Sequence, residues 1–272
     1  MSYAQAFVLG LVQGLTEFLP ISSSGHLILV PRVFGWPDQG LAVDAALHLG
    51  TLAALLAYFR GEIIELFSGT MNRRLGVIVI LATIPGAIAG LVFGHYIETN
   101  LRWPLLIAGT TAFWGVVMLA ADRHAPAAPP PQRTHRNPGD RPDDPLEHVG
   151  WGAGLAVGVA QALALIPGTS RSGITITTGL FAGLDRATAA RYAFLLGIPI
   201  TAGAGLKEAV HLVRSGEHLG DMGPLLVALL VSFLTGWLAV WMLVNYLKRR
   251  SLLPFVIYRL VLAAVIVAVW YR

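Results

Sequence analysis

The chain has 272 residues, of which 55% are hydrophobic and only 12% are charged, and its mean hydropathy is +0.66. Soluble domains carry about a quarter charged residues, so the composition excludes an ordinary soluble domain and indicates an integral membrane protein. The net charge of +4 does not indicate nucleic acid, because the basic residues lie at helix ends and in loops, and the absence of cysteine excludes disulfides and thiolate chemistry.

The first apolar segment contains a polar stretch, Gln-Gly-Leu-Thr-Glu-Phe-Leu-Pro-Ile-Ser-Ser-Ser-Gly-His, at 13–26. Gln13 and Glu17 lie four residues apart, so a helix places both on one face. A carboxylate at membrane depth is costly and marks a functional site by default. The alternative for Glu17 is a solvated helix end or a structural hydrogen bond. With no basic start and no small-residue cleavage site, we expect mature protein here and no signal peptide.

Pro20 and the run Ser22–Gly25 break this segment, and His26 follows. Hydroxyls, backbone amides and an imidazole are therefore offered to one pocket. If Leu27 starts the returning helix, the amides at its N-terminus favour an anion. Histidine serves as a nucleophile or as a general acid and base near neutral pH. The competing interpretation is a serine-rich helix cap followed by an ordinary interfacial histidine.

Six further apolar runs each approach the roughly 20 residues that cross a bilayer as a helix. They are Leu41–Phe59, Gly76–Tyr96, Pro104–Ala121, Tyr192–Val213, Gly223–Leu247 and Leu253–Tyr271. Residues 122–149, with Pro-Pro-Pro and mixed charges, predict a flexible cytoplasmic linker. We therefore predict one membrane domain whose two halves are 1–121 and 150–272.

The polar stretch at 13–26 returns at 161–176 with an offset of 148 residues. The matching pairs include Gln13 and Gln161, Leu15 and Leu163, Ser22 and Ser170, Ser24 and Ser172, and Gly25 and Gly173. The second copy lacks the carboxylate and adds Arg171 within Pro-Gly-Thr-Ser-Arg-Ser-Gly at 167–173. A guanidinium matches phosphate oxygens in a bidentate fork and keeps its charge in a dry site. We predict that Arg171 binds phosphate; the alternative is that it pairs with Glu17 alone.

Each broken segment has arms too short for full crossings, which favours two helical hairpins that enter the membrane and return. The Lys and Arg bias then puts both termini outside, with the first hairpin entering from outside and the second from the cytoplasm. The predicted fold is an all-α polytopic membrane protein with about six transmembrane helices and two re-entrant hairpins. The hairpins form an inverted-topology repeat whose breaks meet near the midplane. If each broken segment instead crossed the membrane, the two copies would be parallel.

Two elements together, Gln-x-x-x-Glu-Phe-Leu-Pro-x-Ser-Ser-Ser-Gly-His at 13–26 and Pro-Gly-x-Ser-Arg-Ser-Gly at 167–173, closely resemble the bacterial undecaprenyl-pyrophosphate phosphatases of the BacA/UppP family. The similarity runs through nearly the whole chain. It implies hydrolysis of undecaprenyl pyrophosphate to the monophosphate carrier that peptidoglycan synthesis reuses, and hence bacitracin resistance. It also implies a multi-pass protein of the bacterial plasma (inner) membrane, a site open to the periplasmic face, and a divalent cation, Ca²⁺ or Mg²⁺.

Residues and resemblance together assign roles. Glu17 holds the cation or acts as a base, Arg171 clamps the phosphate, and His26 is a nucleophile or general acid and base. Ser23 as a nucleophile activated by His26 is an alternative, and a phosphoenzyme and direct attack by water both stay open. The phosphate-binding set is Gln13, Ser22, Ser24, Ser170, Ser172, Gly173 and Thr175, with Ser23 assisting. Because the family's first acid position is Gln13 here, one carboxylate must suffice for a cation with substrate, amide or water oxygens.

A secondary transporter or lipid flippase for a polyprenyl phosphate is the main alternative, since inverted repeats with broken helices are transporter architecture. The acid-phosphatase-like lipid phosphatases are a second, but their Lys-x6-Arg-Pro element is missing. A homodimer is left open. Weaker site candidates in or near the apolar runs are Asp44, His48, Glu208 and His211.

Overall fold

The computed structural model describes residues 1–37, 41–68, 73–126, 144–215 and 221–271. Within these ranges the chain forms eleven α-helices and no strand, which confirms the all-α prediction. The helices are α1 (Tyr3–Phe18), α2 (Ser23–Phe34), α3 (Leu41–Tyr58), α4 (Arg60–Ser68), α5 (Arg73–Asn100), α6 (Pro104–His124), α7 (Trp151–Ala162), α8 (Arg171–Phe181), α9 (Arg186–Ser215), α10 (Met222–Leu247) and α11 (Leu253–Trp270).

Among the described residues, five helices are long and apolar enough to cross a membrane. They are Arg73–Ile97, Pro104–His124, Arg186–Lys207, Met222–Leu247 and Leu253–Trp270. The helices α3 and α4 are bent by 70° at their junction and form a sixth span only if the pair is counted as one. Large apolar side chains such as Leu91 (79% exposed) and Ile80 (65% exposed) lie on the outer surface, as lipid contact requires. The chain is therefore a multi-pass membrane protein.

The first two helices form hairpin 1 (α1 and α2), and α7 and α8 form hairpin 2; the arms of each hairpin pack together. The returning helix of hairpin 1 begins at Ser23, four residues before the predicted start at Leu27. Ser22 and Ser170 turn the chain, with φ of 74° and 70°, the only positive φ values at non-glycine residues in the described ranges. A left-handed residue ends one helical path and starts another, so equivalent positions of the repeat break in the same way.

The helices of the two halves exchange packing partners. Hairpin 1 places α1 against α10 and α3, whereas hairpin 2 places α7 against α5 and α9; α6 packs on α11. Small residues permit these close approaches. A Cβ on Gly14 would lie 2.7 Å from the carbonyl oxygen of Ser232, and one on Gly158 would collide with the backbone of Ala82.

Both ends of the predicted linker are held against the start of α9. Arg186 Nε donates to Asp122 Oδ1 at 2.6 Å, and Arg191 Nη1 donates to Asp144 Oδ1 at 2.6 Å. Burial raises the pKa of the Asp144 carboxyl, but the Arg191 guanidinium outweighs it and holds that pKa below its usual value. The prediction of flexibility stays untested for 127–143, which lie outside the described residues.

Candidate active site

The two hairpins meet at an ion pair. Arg171 Nη2 donates to Glu17 Oε1 at 2.9 Å, and the two side chains are only 17% and 11% exposed. The other arm of the guanidinium is held by α9, because Nη1 donates to the Gly197 carbonyl at 3.1 Å and to Thr201 Oγ1 at 2.9 Å. The fold thus brings together the acid of the first copy and the guanidinium of the second.

The second oxygen of Glu17 accepts two more hydrogen bonds. Gln13 Nε2 donates to Oε2 at 3.2 Å, as the spacing of four residues predicts, and Ser23 Oγ donates to the same oxygen at 3.1 Å. Gln13 is fully buried. A hydroxyl that already donates to a carboxylate is placed to give up its proton, so the Ser23–Glu17 contact has the geometry of a nucleophile and its base.

Further serine hydroxyls join one hairpin to the other. The amide of Gly168 donates to Ser24 Oγ at 3.1 Å, and Ser172 Oγ donates to the carbonyl of Leu19 at 3.1 Å. Ser24 and Ser172 are equivalent in the repeat, and each contacts the backbone at the break of the other hairpin, Ser24 as acceptor and Ser172 as donor. The breaks are therefore fixed relative to each other by short polar contacts.

The remaining predicted phosphate-binding residues lie at the break of hairpin 1 and at the start of α8. Ser170 Oγ accepts from the Gly173 amide at 3.2 Å, and Thr175 Oγ1 donates to the carbonyl of Arg171 at 2.7 Å. The hydroxyl oxygens of Ser22 and Ser24 lie 3.2 Å apart, as those of Ser170 and Ser172 lie 3.3 Å apart. All seven residues of the predicted set lie at a break or within two turns of it. Their roles toward phosphate stay predictions.

His26 is turned toward α11. Its Nδ1 lies 2.7 Å from the carbonyl oxygen of Ser22, and its Nε2 lies 2.6 Å from the hydroxyl of Tyr258, whose ring stacks on the imidazole at 5.6 Å. One alternative from the sequence was that His26 activates Ser23. In the structure the Ser23 hydroxyl donates its hydrogen bond to Glu17 instead. Tyr258 was not among the residues predicted from the sequence.

Arg259, also missed from the sequence, is a fully buried cation between the two breaks. Its guanidinium donates to the carbonyls of Thr111, Gly168 and Thr169 at 3.0 Å and of Pro20 at 3.4 Å. Broken helices leave carbonyls without donors, and Arg259 supplies those donors. The sequence feature that could have identified Arg259 is its position in the middle of the last apolar run, because a charge at membrane depth needs a partner.

A cavity of about 560 Å³ opens beside the serines of hairpin 1. Its polar lining residues are Ser23, Ser24, Asp44, His48 and Arg102, and its apolar ones include Leu9, Leu27, Ile28, Pro31, Val43, Leu47 and Leu165. Two of the weaker candidates, Asp44 and His48, thus border the cavity. The side chains of Glu208 and His211 lie outside the described residues.

The side chains around Glu17 offer a hard cation oxygen atoms of three kinds, from a carboxylate, an amide and a hydroxyl. No group of three or more His, Cys, Asp or Glu side chains able to hold a metal occurs in the part of the chain that the structure describes. In that same part, Gln13 Oε1 is buried without a hydrogen-bond partner, beside the Glu17 carboxylate and the Ser23 hydroxyl. These oxygens fit Mg²⁺ or Ca²⁺ if phosphate or water completes the coordination.

The family model described as "Bacitracin resistance protein BacA" matches residues 6–265. A protein of Moorella thermoacetica named undecaprenyl-diphosphatase is 48% identical over 279 residues, covering all of both chains. Proteins of the same name from Hahella chejuensis and Idiomarina loihiensis are 44% and 42% identical, covering 97% and 98% of each chain. A match of this extent to the model and to these relatives shows that the chain belongs to the BacA family.

Proposed function

We propose that this protein is an undecaprenyl-diphosphate phosphatase: it hydrolyses undecaprenyl pyrophosphate to undecaprenyl phosphate and inorganic phosphate. The reaction recycles the lipid carrier of peptidoglycan synthesis and confers bacitracin resistance. The observation that carries the proposal is the buried Glu17–Arg171 pair where two helix N-termini meet. The names of the relatives point to the same activity.

The break region suits a diphosphate. Helix α2 begins at Ser23 and α8 at Arg171, and the Gly168 amide just before α8 donates to Ser24 Oγ in the first turn of α2. The positive ends of two helix dipoles therefore lie close together. The Arg171 guanidinium offers charge-assisted hydrogen bonds to phosphate oxygens. Phosphate that binds to Arg171 competes with Glu17, and the carboxylate is then released for chemistry.

The Ser23–Glu17 hydrogen bond favours a serine nucleophile. Ser23 Oγ attacks the terminal phosphorus while Glu17 takes the hydroxyl proton, and the bond from that phosphorus to the bridging oxygen breaks, releasing undecaprenyl phosphate. The departing undecaprenyl phosphate takes the proton from Glu17. The restored carboxylate then activates a water that attacks the phosphoserine, which releases inorganic phosphate and restores the Ser23 hydroxyl. Direct attack by water, with Glu17 as its base, is the alternative route. Mg²⁺ or Ca²⁺ held by Glu17 and Gln13 would neutralise charge on the diphosphate oxygens.

The proposed setting is the bacterial inner membrane, with the site open to the periplasmic face and the halves arranged as an inverted repeat. Two observations support the arrangement. Helix partners exchange between the halves, and segments that the predicted topology puts on the cytoplasmic side contact one another. Arg74, at the start of α5, donates to the carbonyl of Glu147 in the predicted linker at 2.9 Å, and Arg191 of α9 donates to Glu62 of α4 at 2.9 Å. The apolar wall of the cavity suits the first isoprene units of the lipid.

Phosphate release from undecaprenyl pyrophosphate by the purified protein tests the proposal. We expect Glu17→Gln and Arg171→Ala each to lower kcat/KM by about 100-fold or more, because each removes a group that acts on the developing charge. The matched controls are Glu147→Gln and Arg250→Ala, at charged positions away from the breaks. Lipid translocation without phosphate release would favour the flippase alternative, and full activity in both site variants would contradict the proposal. A chelator in the same assay tests the cation.

A further inference from the structure

Both ring nitrogens of His26 are occupied within the protein. A carbonyl oxygen only accepts, so the contact of 2.7 Å with Ser22 requires that Nδ1 carry hydrogen. On a neutral ring Nε2 then accepts from the hydroxyl of Tyr258, at 2.6 Å. His26 is 8% exposed, whereas Tyr258 is 44% exposed. The imidazole therefore bridges hairpin 1 and α11.

The orientation of His26 separates it from the cavity. The residues of α2 that line the cavity are Ser23, Ser24, Leu27, Ile28 and Pro31, and His26 is not among its described lining residues. The next residue before it, Gly25, faces Leu262 and Ile266 of α11. A nucleophile or a proton donor must face the phosphate, and the side of α2 that carries His26 faces another helix.

The atom that His26 holds is the carbonyl of Ser22, the residue whose positive φ turns the chain into α2. In hairpin 2 the equivalent Ser170 caps its helix through its own hydroxyl, which accepts from the Gly173 amide. The Ser22 hydroxyl makes no such cap bond in the described structure, and the position equivalent to His26 is Ile174. The turn of hairpin 2 is thus fixed by a serine that accepts from an amide, and the turn of hairpin 1 by a histidine that donates to the Ser22 carbonyl.

We propose that Tyr258 and His26 are positioning residues: Tyr258 donates to His26, His26 donates to the Ser22 carbonyl, and the turn so fixed holds the Ser23 hydroxyl on Glu17. The inference rests on the proposed phosphatase activity and deepens it. In this assignment the imidazole holds Ser23 in place and does not react with the phosphorus. Neither side chain touches the substrate in this arrangement.

Variants of His26 distinguish positioning from chemistry. His26→Asn retains an N–H near the place of Nδ1 and loses Nε2, whereas His26→Gln places its amide near Nε2 and loses the bond to Ser22. If His26 positions Ser22, we expect His26→Asn to keep kcat within about tenfold of wild type and His26→Gln to lose about tenfold more, with KM unchanged in both. A reduction of His26→Asn to the level of Ser23→Ala, or phosphohistidine trapped at position 26, would overturn the proposal.

Tyr258→Phe removes a single hydroxyl and keeps the stacked ring. We expect it to lower kcat by about threefold to tenfold in wild type and to have no further effect in His26→Asn, where its acceptor is gone. Tyr192→Phe is the matched control, because the hydroxyl of Tyr192 donates to the Gly154 carbonyl at 3.1 Å, away from the breaks. Equal losses in the two phenylalanine variants would contradict the positioning role.

A measurement without substrate separates this inference from the proposed function. In protein labelled with ¹⁵N-histidine, we expect His26 to show one protonated and one bare nitrogen, and the signal of the bare nitrogen to move in Tyr258→Phe but not in Tyr192→Phe. An unmoved signal would refute the Tyr258–His26 bond whether or not the protein releases phosphate. Absence of phosphate release from wild type would refute only the proposed function.

Discussion

At the scale of single residues, side chains at the two breaks replace hydrogen bonds that continuous helices would make. Thr110 Oγ1 donates to the Pro167 carbonyl at 2.6 Å, Ser172 Oγ to that of Leu19, and Arg259 to three carbonyls of the breaks. Backbone groups away from water are costly when unpaired, and more so at membrane depth. The polar residues of the breaks thus stabilise the same irregular backbone that presents Ser23 and Arg171.

Arg259 gives the sharpest prediction at this scale. Arg259→Met keeps the length of the side chain and leaves several buried carbonyls without a donor, so we expect it to lower the free energy of unfolding by at least about 2 kcal/mol. Arg259→Lys retains a charge and part of the donors and should lose less. Denaturant unfolding in detergent measures both, with Arg250→Met, at an exposed position, as the control. Equal stability of the Arg259→Met and Arg250→Met variants would contradict the role.

The sequence predicted the residues whose partners are local or repeated, and missed those whose partners are distant. Glu17 and Gln13 followed from helical spacing, and Arg171 from the repeat. Tyr258 and Arg259 contact groups 232 and 239 positions earlier in the chain, at His26 and Pro20. No spacing rule links such positions, since only the packing of α11 on α2 and α6 brings them together.

At the scale of helices, close packing of α7 on α5 depends on a glycine without a side chain. An alanine Cβ at Gly158 would collide with the backbone of Ala82, which cannot move aside as a flexible side chain would. We expect Gly158→Ala to destabilise the protein by about 2 kcal/mol, the middle of the range for overpacked sites. The melting temperature in detergent measures this change.

The control for Gly158 lies on the same helix. A Cβ at Gly152 meets nothing within 4 Å, so Gly152→Ala should leave stability unchanged or raise it by up to about 1 kcal/mol. A similar loss in both variants would show that α7 itself, and not its contact with α5, is sensitive to alanine.

The positions of the helices were more predictable than their directions. Pro20 and Pro167 marked both breaks, and each apolar run became helix. The bend of 70° between α3 and α4 was not foreseen, because hydropathy reports how apolar a segment is and not the direction of its helix axis. The start of α2 was placed late because a serine is rarely left-handed, and Ser22 is held so by its surroundings.

At the scale of the whole molecule, the two hairpins contribute different halves of the proposed site. Glu17, Gln13 and Ser23 come from hairpin 1, and Arg171 comes from hairpin 2. If the hairpins enter from opposite faces, the site forms where they meet and a lipid diphosphate reaches it without leaving the bilayer. The side of the membrane on which each end of the helices lies therefore decides whether the hairpins enter from opposite faces.

Labelling of single cysteines tests the sides directly, because the chain contains no native cysteine. We choose Ala4→Cys in the first turn of hairpin 1, Asn100→Cys at the end of α5 and Arg250→Cys between α10 and α11, all exposed positions. With α3 and α4 as one span and both hairpins re-entrant, Ala4 and Asn100 lie outside and Arg250 lies in the cytoplasm. In intact cells a membrane-impermeant maleimide should then label the first two positions, and Arg250→Cys only after permeabilisation.

If each hairpin crossed the membrane once, Ala4 would lie opposite to Asn100 and Arg250 would lie on the same side as Asn100. That pattern would contradict the inverted repeat, since both breaks would then belong to parallel copies.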